Sequence, residues 1–282
     1  MTDKITLSPS HIPTIMGDNS ERKADLFLIK TGLMERPKPT EAMLWGRRLE
    51  PLVLDYMQDA GSYDKIHQYI REEWNDQPRL THPEHDWFYG YADDLTVNNG
   101  GLEIVEVKTT ARPITLSDDN IPDAWRLQCQ AMLAMGAWDG EKAHKPKRCL
   151  LACLSMGSRY SEVKIQPDRK CQKAIVEAAT AFRQAIINKD MGQFELTSSQ
   201  LNHAFPPSPD KTVKTSVKVD TAIDDYKNLN LKIKEHTGHK ELLTRKIKAH
   251  MKNAELLMSE DGDKVLATWK LTKTGSRMLR IK

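Results

Sequence analysis

The chain has 282 residues, 39% of them hydrophobic and 29% charged, with a formal net charge of +3. That supplies a real core for a chain of this size, and no apolar run reaches the 18 residues that a membrane span requires. Four cysteines with no CxxC pair and no Cys/His ligand spacing argue against a zinc or iron–sulfur site and suit reduced thiols in a cytoplasm.

The N-terminus MTDKITLSPS lacks the basic and apolar regions of a secretory signal. Charge is unevenly placed. Residues 211–282 hold 17 Lys and Arg against 9 Asp and Glu, a net of +8, which leaves −5 for the remainder. A basic tail on an acidic body suits a polyanionic partner or a solvated basic hairpin, and charge alone weighs the two equally.

In chain order, residues 22–31 predict a short helix stopped at Gly32. Thr40 is placed to cap a helix over EAMLWGRRLEPLVLDYMQDAG, with Met43, Leu44, Leu49, Leu52, Val53 and Tyr56 near helical spacing. Gly46 and Pro51 disfavour its interior and predict a kink near residue 47. WFYGYADDLTV (87–97) reads as one strand, NNGG (98–101) as a hairpin turn and LEIVEVKTT (102–110) as the returning strand. A helix is predicted over 121–138, then a strand pair, RCLLACLS and YSEVKI, across MGSR. Pro167 opens a long helix to about residue 189. Residues 190–216, with FPPSPDKT, have the composition of a linker. Two helices broken around Gly238 are expected over 219–258, followed by a β-hairpin of KVLATWKL and SRMLRIK. The tryptophans, including Trp45, Trp125 and Trp138, suit the core better than base stacking, and His82 and His85 suit a solvated loop better than a DNA contact.

The strand GLEIVEVKTT (101–110) carries the chemistry. Side chains two apart share a strand face, so Glu106 and Lys108 project together. A carboxylate beside an ammonium suits phosphodiester hydrolysis: the acid binds a divalent cation, and the lysine serves the attacking water or the scissile phosphate. Mg²⁺ takes oxygen ligands, usually one or two carboxylates with waters. The second acid comes from YADDL, as Asp93 or Asp94, and the Val107 carbonyl is a natural third oxygen. Glu-x-Lys also occurs at Glu21/Lys23 and Glu162/Lys164. Only the middle copy follows an acidic strand and a hairpin; the last, in SEVKI, is its rival, and an exposed ion pair without function is the bland alternative.

YADDL followed by EVK resembles the PD-(D/E)XK nuclease motif. With LSPSHIPTIMG, LWGRRLEP and WRLQCQAMLAMG in the same order, residues 5–136 resemble the YqaJ-like viral recombinase and lambda-exonuclease family. The resemblance implies an α/β, restriction-endonuclease-like core, a mixed central sheet flanked by helices, with a helical, basic C-terminal appendage. The organisation expected is a nuclease domain over 1–192, a linker over 193–216, and a helical hairpin plus terminal β-hairpin over 217–282.

Residue by residue, the resemblance assigns Asp93 and Glu106 as metal ligands, with Glu50 completing the site through water, and Lys108 as the lysine that positions water. It assigns Gln128 as the helix glutamine near that lysine, with Gln130 as the alternative. Ser10 takes the place of a serine near the DNA 5′ phosphate, Arg22 stands in for an absent arginine, and Lys246 and Lys248 of the tail are set to track phosphates. The implied activity is Mg²⁺-dependent digestion of linear double-stranded DNA from its ends, 5′→3′, with Mn²⁺ substituting. The implied setting is phage-type recombination in a bacterial cytoplasm, with a single-strand annealing protein as partner and a homotrimer as the assembly. A structure- or sequence-specific endonuclease on the same fold, or an inactive DNA-binding scaffold, are the rival readings.

Overall fold

The computed structural model describes residues 5–66, 77–98, 100–208, 212–214 and 216–282. The chain divides into two compact units, Met1–Pro207 and Ser208–Lys282. In the first unit a one-turn 3₁₀ segment, Pro9–His11, leads into α1 (Ile12–Met16), α2 (Ser20–Lys30) and α3 (Glu41–Asp59). There follow β1 (Arg79–His82), β2 (His85–Tyr91), β3 (Asp94–Asn98), β4 (Gly101–Thr110), α4 (Asp123–Leu133), β5 (Gly136–Trp138), β6 (Ala143–His144), β7 (Arg148–Ser155), β8 (Arg159–Ile165), α5 (Arg169–Asn188) and α6 (Ser198–Ala204).

The central sheet has the order β3-β4-β7-β8. β4 pairs antiparallel with β3 and parallel with β7, and β7 pairs antiparallel with β8. The mixed sheet flanked by helices that the family resemblance implies is present. β4 is covered on both faces, and residues 101–107 are all buried, the charged Glu103 and Glu106 included. Val105 and Val107 pack with Val53 and Met57 of α3, with Tyr63, and with Leu150 and Ala152 of β7. Leu102 and Ile104 join the larger core, with Cys129 and Met132 of α4 and Ile175, Ala179 and Phe182 of α5. Each large side chain so buried stabilises the fold by roughly 1.5–3 kcal/mol. α5 is stopped at its start by Asp168, whose carboxylate accepts from the Lys170 and Cys171 N–H groups at 2.9 and 3.1 Å. All four cysteines are free thiols.

A second sheet, β2-β1-β5-β6, is antiparallel throughout. Leu7 bridges to Phe88 of β2 and fixes the N-terminal segment there. Gly90 lets that segment lie close: a β-carbon at this position would come within 2.5 Å of Pro9 Cδ. Ser8, Pro9, Ser10 and His11 are thereby laid beside the end of β2.

Several sequence expectations change here. Residues 87–97 are not one strand. The chain leaves one sheet after Tyr91 and enters the other at Asp94. At the crossing the Ala92 N–H bonds to the Pro78 carbonyl at 3.1 Å. The hairpin turn closes by pairing Asn98 with Gly101, and Gly100 adopts φ +69°, while Asn99 lies outside the described residues. α3 is unbroken through Gly46 and Pro51, capped by the Thr40 hydroxyl. It buries Val53 and Met57, but Met43, Leu44, Leu52 and Tyr56 are exposed. Trp45 and Trp138 are also exposed, so they are not core residues. α4 ends at Leu133, because Gly136 already begins β5.

The expected linker is partly a packed element. Phe194 stacks 4.8 Å from Phe27, and Thr197 caps α6 in a capping box with Gln200. The Gln200 side chain then donates to the Glu21 carbonyl at 2.9 Å and to Asp25 at 2.7 Å, fastening α6 to α2.

In the second unit, α7 (Val217–Met251) is one helix of 35 residues, not two broken at Gly238. A helical glycine costs about 1 kcal/mol relative to alanine, and the Lys, Leu and Glu around Gly238 are good helix formers that absorb it. β9 (Leu256–Met258), β10 (Val265–Leu271) and β11 (Arg277–Ile281) form a three-stranded antiparallel sheet, the predicted hairpin plus one strand. The Arg277 guanidinium lies 3.8 Å from the Trp269 ring centroid and donates to the Lys252 and Ala254 carbonyls, tying the sheet to the end of α7.

Candidate active site

The site forms where β3 stops short of β4. Their pairing ends at Asp94↔Val105, while β4 continues to Thr110. The Val107 N–H, beyond the last β3 residue, donates to the Asp93 carboxylate at 2.6 Å. The N–H and C=O of one strand residue point to the same edge, so the Val107 carbonyl faces the side where Asp93 stands. Asp94 has a different environment. It is buried, its carboxylate accepts from the Tyr63 hydroxyl and from the Leu95 N–H, and Tyr63 belongs to the apolar cluster under α3.

Glu106 and Lys108 share the opposite face of β4 from Val105 and Val107, and their side chains form an ion pair. The Gln128 amide on α4 also donates to Glu106, at 2.7 Å. Both donors use the same oxygen, Oε1. Gln130 is turned elsewhere, since residues two apart on a helix do not share a face. It donates to the Gln166 carbonyl at 2.7 Å and accepts from the Asp168 N–H at 2.9 Å, which fixes the start of α5.

Glu50 comes from α3, one turn after Gly46. A β-carbon at Gly46 would lie 3.3 Å from the Thr109 hydroxyl, so the glycine lets α3 approach β4. The Glu50 carboxylate accepts from the Gln77 amide at 3.1 Å, and the same nitrogen lies 3.5 Å from Asp93 Oδ1. The β1–β2 register carries Gln77 there. Arg79 pairs with Tyr91 and Pro78 bonds to Ala92, which sets Gln77 opposite Asp93.

A cleft of about 310 Å³ is lined by Asp93, Glu106, Gln77 and Gln128 together with Ser8, Ser10, His11, Lys30 and Arg36. Glu50 and Lys108 join this set through Gln77 and Glu106. Ser10 therefore lies beside the acidic residues. Arg22 does not line the cleft: it is exposed in the first turn of α2, where its N–H is held by Asn19. Lys30 and Arg36 supply the cleft's cations instead. Sequence reasoning missed Gln77, Lys30 and Arg36, which no motif spacing singles out. Lys246 and Lys248 belong to the second unit, where Lys248 lies 5.6 Å from the Trp269 ring centroid. The rival Glu162 on β8 accepts from the Tyr160 hydroxyl, and Lys164 is exposed.

The electrostatics follow from crowding. Burial, then Glu106 and Glu50, push the Asp93 carboxyl well above its usual range. Burial, then Glu106, raise the Glu50 carboxyl, against the Gln77 hydrogen bond. Burial alone would lower the Lys108 ammonium, but Glu106 and Asp93 outweigh it and hold the lysine charged. Among the described residues no three His, Cys, Asp or Glu side chains form a ready metal cage. The donor set nevertheless fits a hard divalent cation that uses one or two carboxylates and completes its shell with water. Asp93, Glu106 and the Val107 carbonyl are all oxygen donors, and the crowding that raises the proton affinity of Asp93 is relieved by a cation.

Burial, Lys30 and Arg36 lower His11 to a pKa of about 3, and its Nδ1 accepts from the Ser8 N–H at 2.9 Å. His11 is thus a neutral acceptor at physiological pH. The unfolded chain takes up a proton near pH 6.5 that the folded protein refuses. Stability is therefore full above pH 6.5 and is lost as pH falls toward 3, at up to about 1.4 kcal/mol per pH unit. Denaturation midpoints measured from pH 7 to 4.5 are expected to fall less steeply in His11→Asn than in the wild type.

Among solved structures, an alkaline exonuclease (LHK-Exo) from Laribacter hongkongensis is 14% identical, with a TM-score of 0.46 over 65% of this chain and 89% of that one. LHK-Exo in complex with dAMP gives 14% identity and a TM-score of 0.47 over 67% and 91%. SSO0001 gives 16% identity and a TM-score of 0.35 over 66% and 77%. No curated protein matches the chain. The family model of the YqaJ-like viral recombinase domain matches residues 4–138. That span contains Glu50, Asp93, Glu106, Lys108 and Gln128. Residues 4–138 are thus similar to a YqaJ-like viral recombinase domain.

Proposed function

We propose that this protein is a divalent-metal-dependent exonuclease that digests linear double-stranded DNA from its ends, 5′→3′, in phage-type single-strand annealing recombination. The observation that carries this reading is the grouping of Asp93, Glu106, Lys108 and Gln128 around one strand end, with Glu50 joined through Gln77. Asp93, Glu106 and the Val107 carbonyl would hold Mg²⁺, and Glu50 would complete the set through water. When bound, the cation supplies charge stabilisation at the phosphate and lowers the pKa of water. Lys108, kept charged by its acidic neighbours, orients the attacking water and offsets charge on the scissile phosphate. Gln128 keeps Glu106 in place. Ser10, Lys30 and Arg36 supply a hydroxyl donor and two positive charges for the terminal phosphate. Lys246 and Lys248 add salt-sensitive contacts to the backbone. A homotrimer and a single-strand annealing partner belong to the same reading.

The test is nucleotide release from linear duplex DNA labelled separately at its 5′ and 3′ ends. Release is expected from the 5′ ends in Mg²⁺, is abolished by EDTA and returns with Mn²⁺. Closed circular DNA should remain intact; its cleavage would move the assignment to an endonuclease. Duplex binding without any release would leave a scaffold.

A further inference from the structure

We infer that Gln77 is a positioning residue that holds Glu50 of α3 against Asp93, so that the two carboxylates meet one cation. The inference rests on the metal-dependent reading above. Three observations carry it. The Gln77 amide nitrogen donates to Glu50 Oε1 at 3.1 Å and reaches Asp93 Oδ1 at 3.5 Å, so one NH₂ group spans acids from different elements. The register of β1 on β2, continued by the Ala92–Pro78 bond, fixes Gln77 opposite Asp93. Gln77 also lines the cleft that Asp93 and Glu106 share.

The chemistry suits a carboxamide. Two acids brought side by side repel, and a donor between them is needed to hold the arrangement before any cation arrives. A lysine or arginine there would satisfy both acids but would occupy the place of the metal's charge. The neutral NH₂ of Gln77 carries two hydrogens, one for each acid, and leaves the net negative charge in place. Asp93 is then fixed at both oxygens, by Val107 N–H on Oδ2 and by Gln77 on Oδ1, which sets the plane of its carboxylate. Glu50 is the acid that most needs this help, because it is carried on a helix rather than on the strands that bear Asp93 and Glu106. Partners of this kind, which touch the ligands but not the metal, typically change metal affinity 10–100-fold when removed.

The test is calorimetric titration of the metal-free, full-length protein with Mn²⁺ in the absence of DNA. Gln77→Met keeps the length and removes the donor, and Gln77→Ala is measured beside it. Each is expected to weaken Mn²⁺ binding by about tenfold or more. In a Glu50→Ala background the same substitutions are expected to change affinity less than they do in the wild type, because the part of their effect that runs through Glu50 is already lost. A purely structural residue would instead give losses that multiply. Unchanged affinity in both single variants, multiplying losses, or failure of both variants to fold would overturn the inference while leaving the metal-dependent reading intact. Absence of Mn²⁺ binding by the wild type would overturn both.

Discussion

Replacing Lys108 with alanine is expected to lower the rate of nucleotide release from linear duplex DNA by about 10²–10⁴-fold, with duplex binding and the fold retained. The lysine contacts Glu106 and lies near Asp93, and no comparable cation takes its place on β4. Truncating one partner of a fully buried ion pair can cost 3–5 kcal/mol, which would threaten the fold. Two features reduce that cost here. The Lys108 side chain is 21% exposed, and Glu106 keeps the Gln128 amide at 2.7 Å after the lysine is gone. Release assays, filter binding and thermal melting on the same preparation separate the possibilities. Full activity in the variant would remove Lys108 from the chemistry. An unfolded variant would assign the pair to stability.

Adjacent aspartates should respond in opposite ways. Asp93→Asn keeps shape and one acceptor but removes the negative charge that faces the cleft. Its rate is expected to fall by at least about 10²-fold, with little change in melting temperature. Asp94→Ala deprives the buried Tyr63 hydroxyl and the Leu95 N–H of their acceptor. Buried hydrogen bonds to a charged group contribute about 1.5–3 kcal/mol. For a chain of this size each kcal/mol shifts the melting temperature by about 2–4 °C. Activity of Asp94→Ala, measured well below its melting temperature, should stay within a few-fold of wild type. A stable but inactive Asp94→Ala would transfer the ligand role to Asp94.

The candidate site was legible in the sequence to the extent that chemistry rides on strand alternation and helix spacing. Glu106 and Lys108 sit two apart on β4, and Gly46 and Glu50 sit four apart on α3; local periodicity alone is enough to put each pair on one face. The choice between Asp93 and Asp94 was not legible from residues alone. It depends on the chain changing sheets at Ala92, a crossing that pattern reading merged into one strand because both halves are apolar and aromatic. Gln77, Lys30 and Arg36 were invisible for a related reason. Their place at the cleft depends on the β1–β2 register and on where α2 ends, neither of which is local. α6 was hidden by composition: Ser, Thr, Gln and Asn mark a loop until Thr197 and Gln200 cap each other. Gly238 erred in the other direction, since one glycine lowers helix propensity without breaking 35 residues.

The two faces of β4 also divide the tolerance of this strand to change. Val105 and Val107 look into one cluster of apolar side chains, whereas Glu106 and Lys108 look toward Gln128 and the cleft. In a saturation library read twice, once for cellular abundance and once for DNA degradation, positions 105 and 107 should score mainly by abundance. Positions 106 and 108 should score mainly by degradation at near-normal abundance. The two scores would then alternate along four consecutive residues, and the same alternation would be absent from Glu162 and Lys164 on β8.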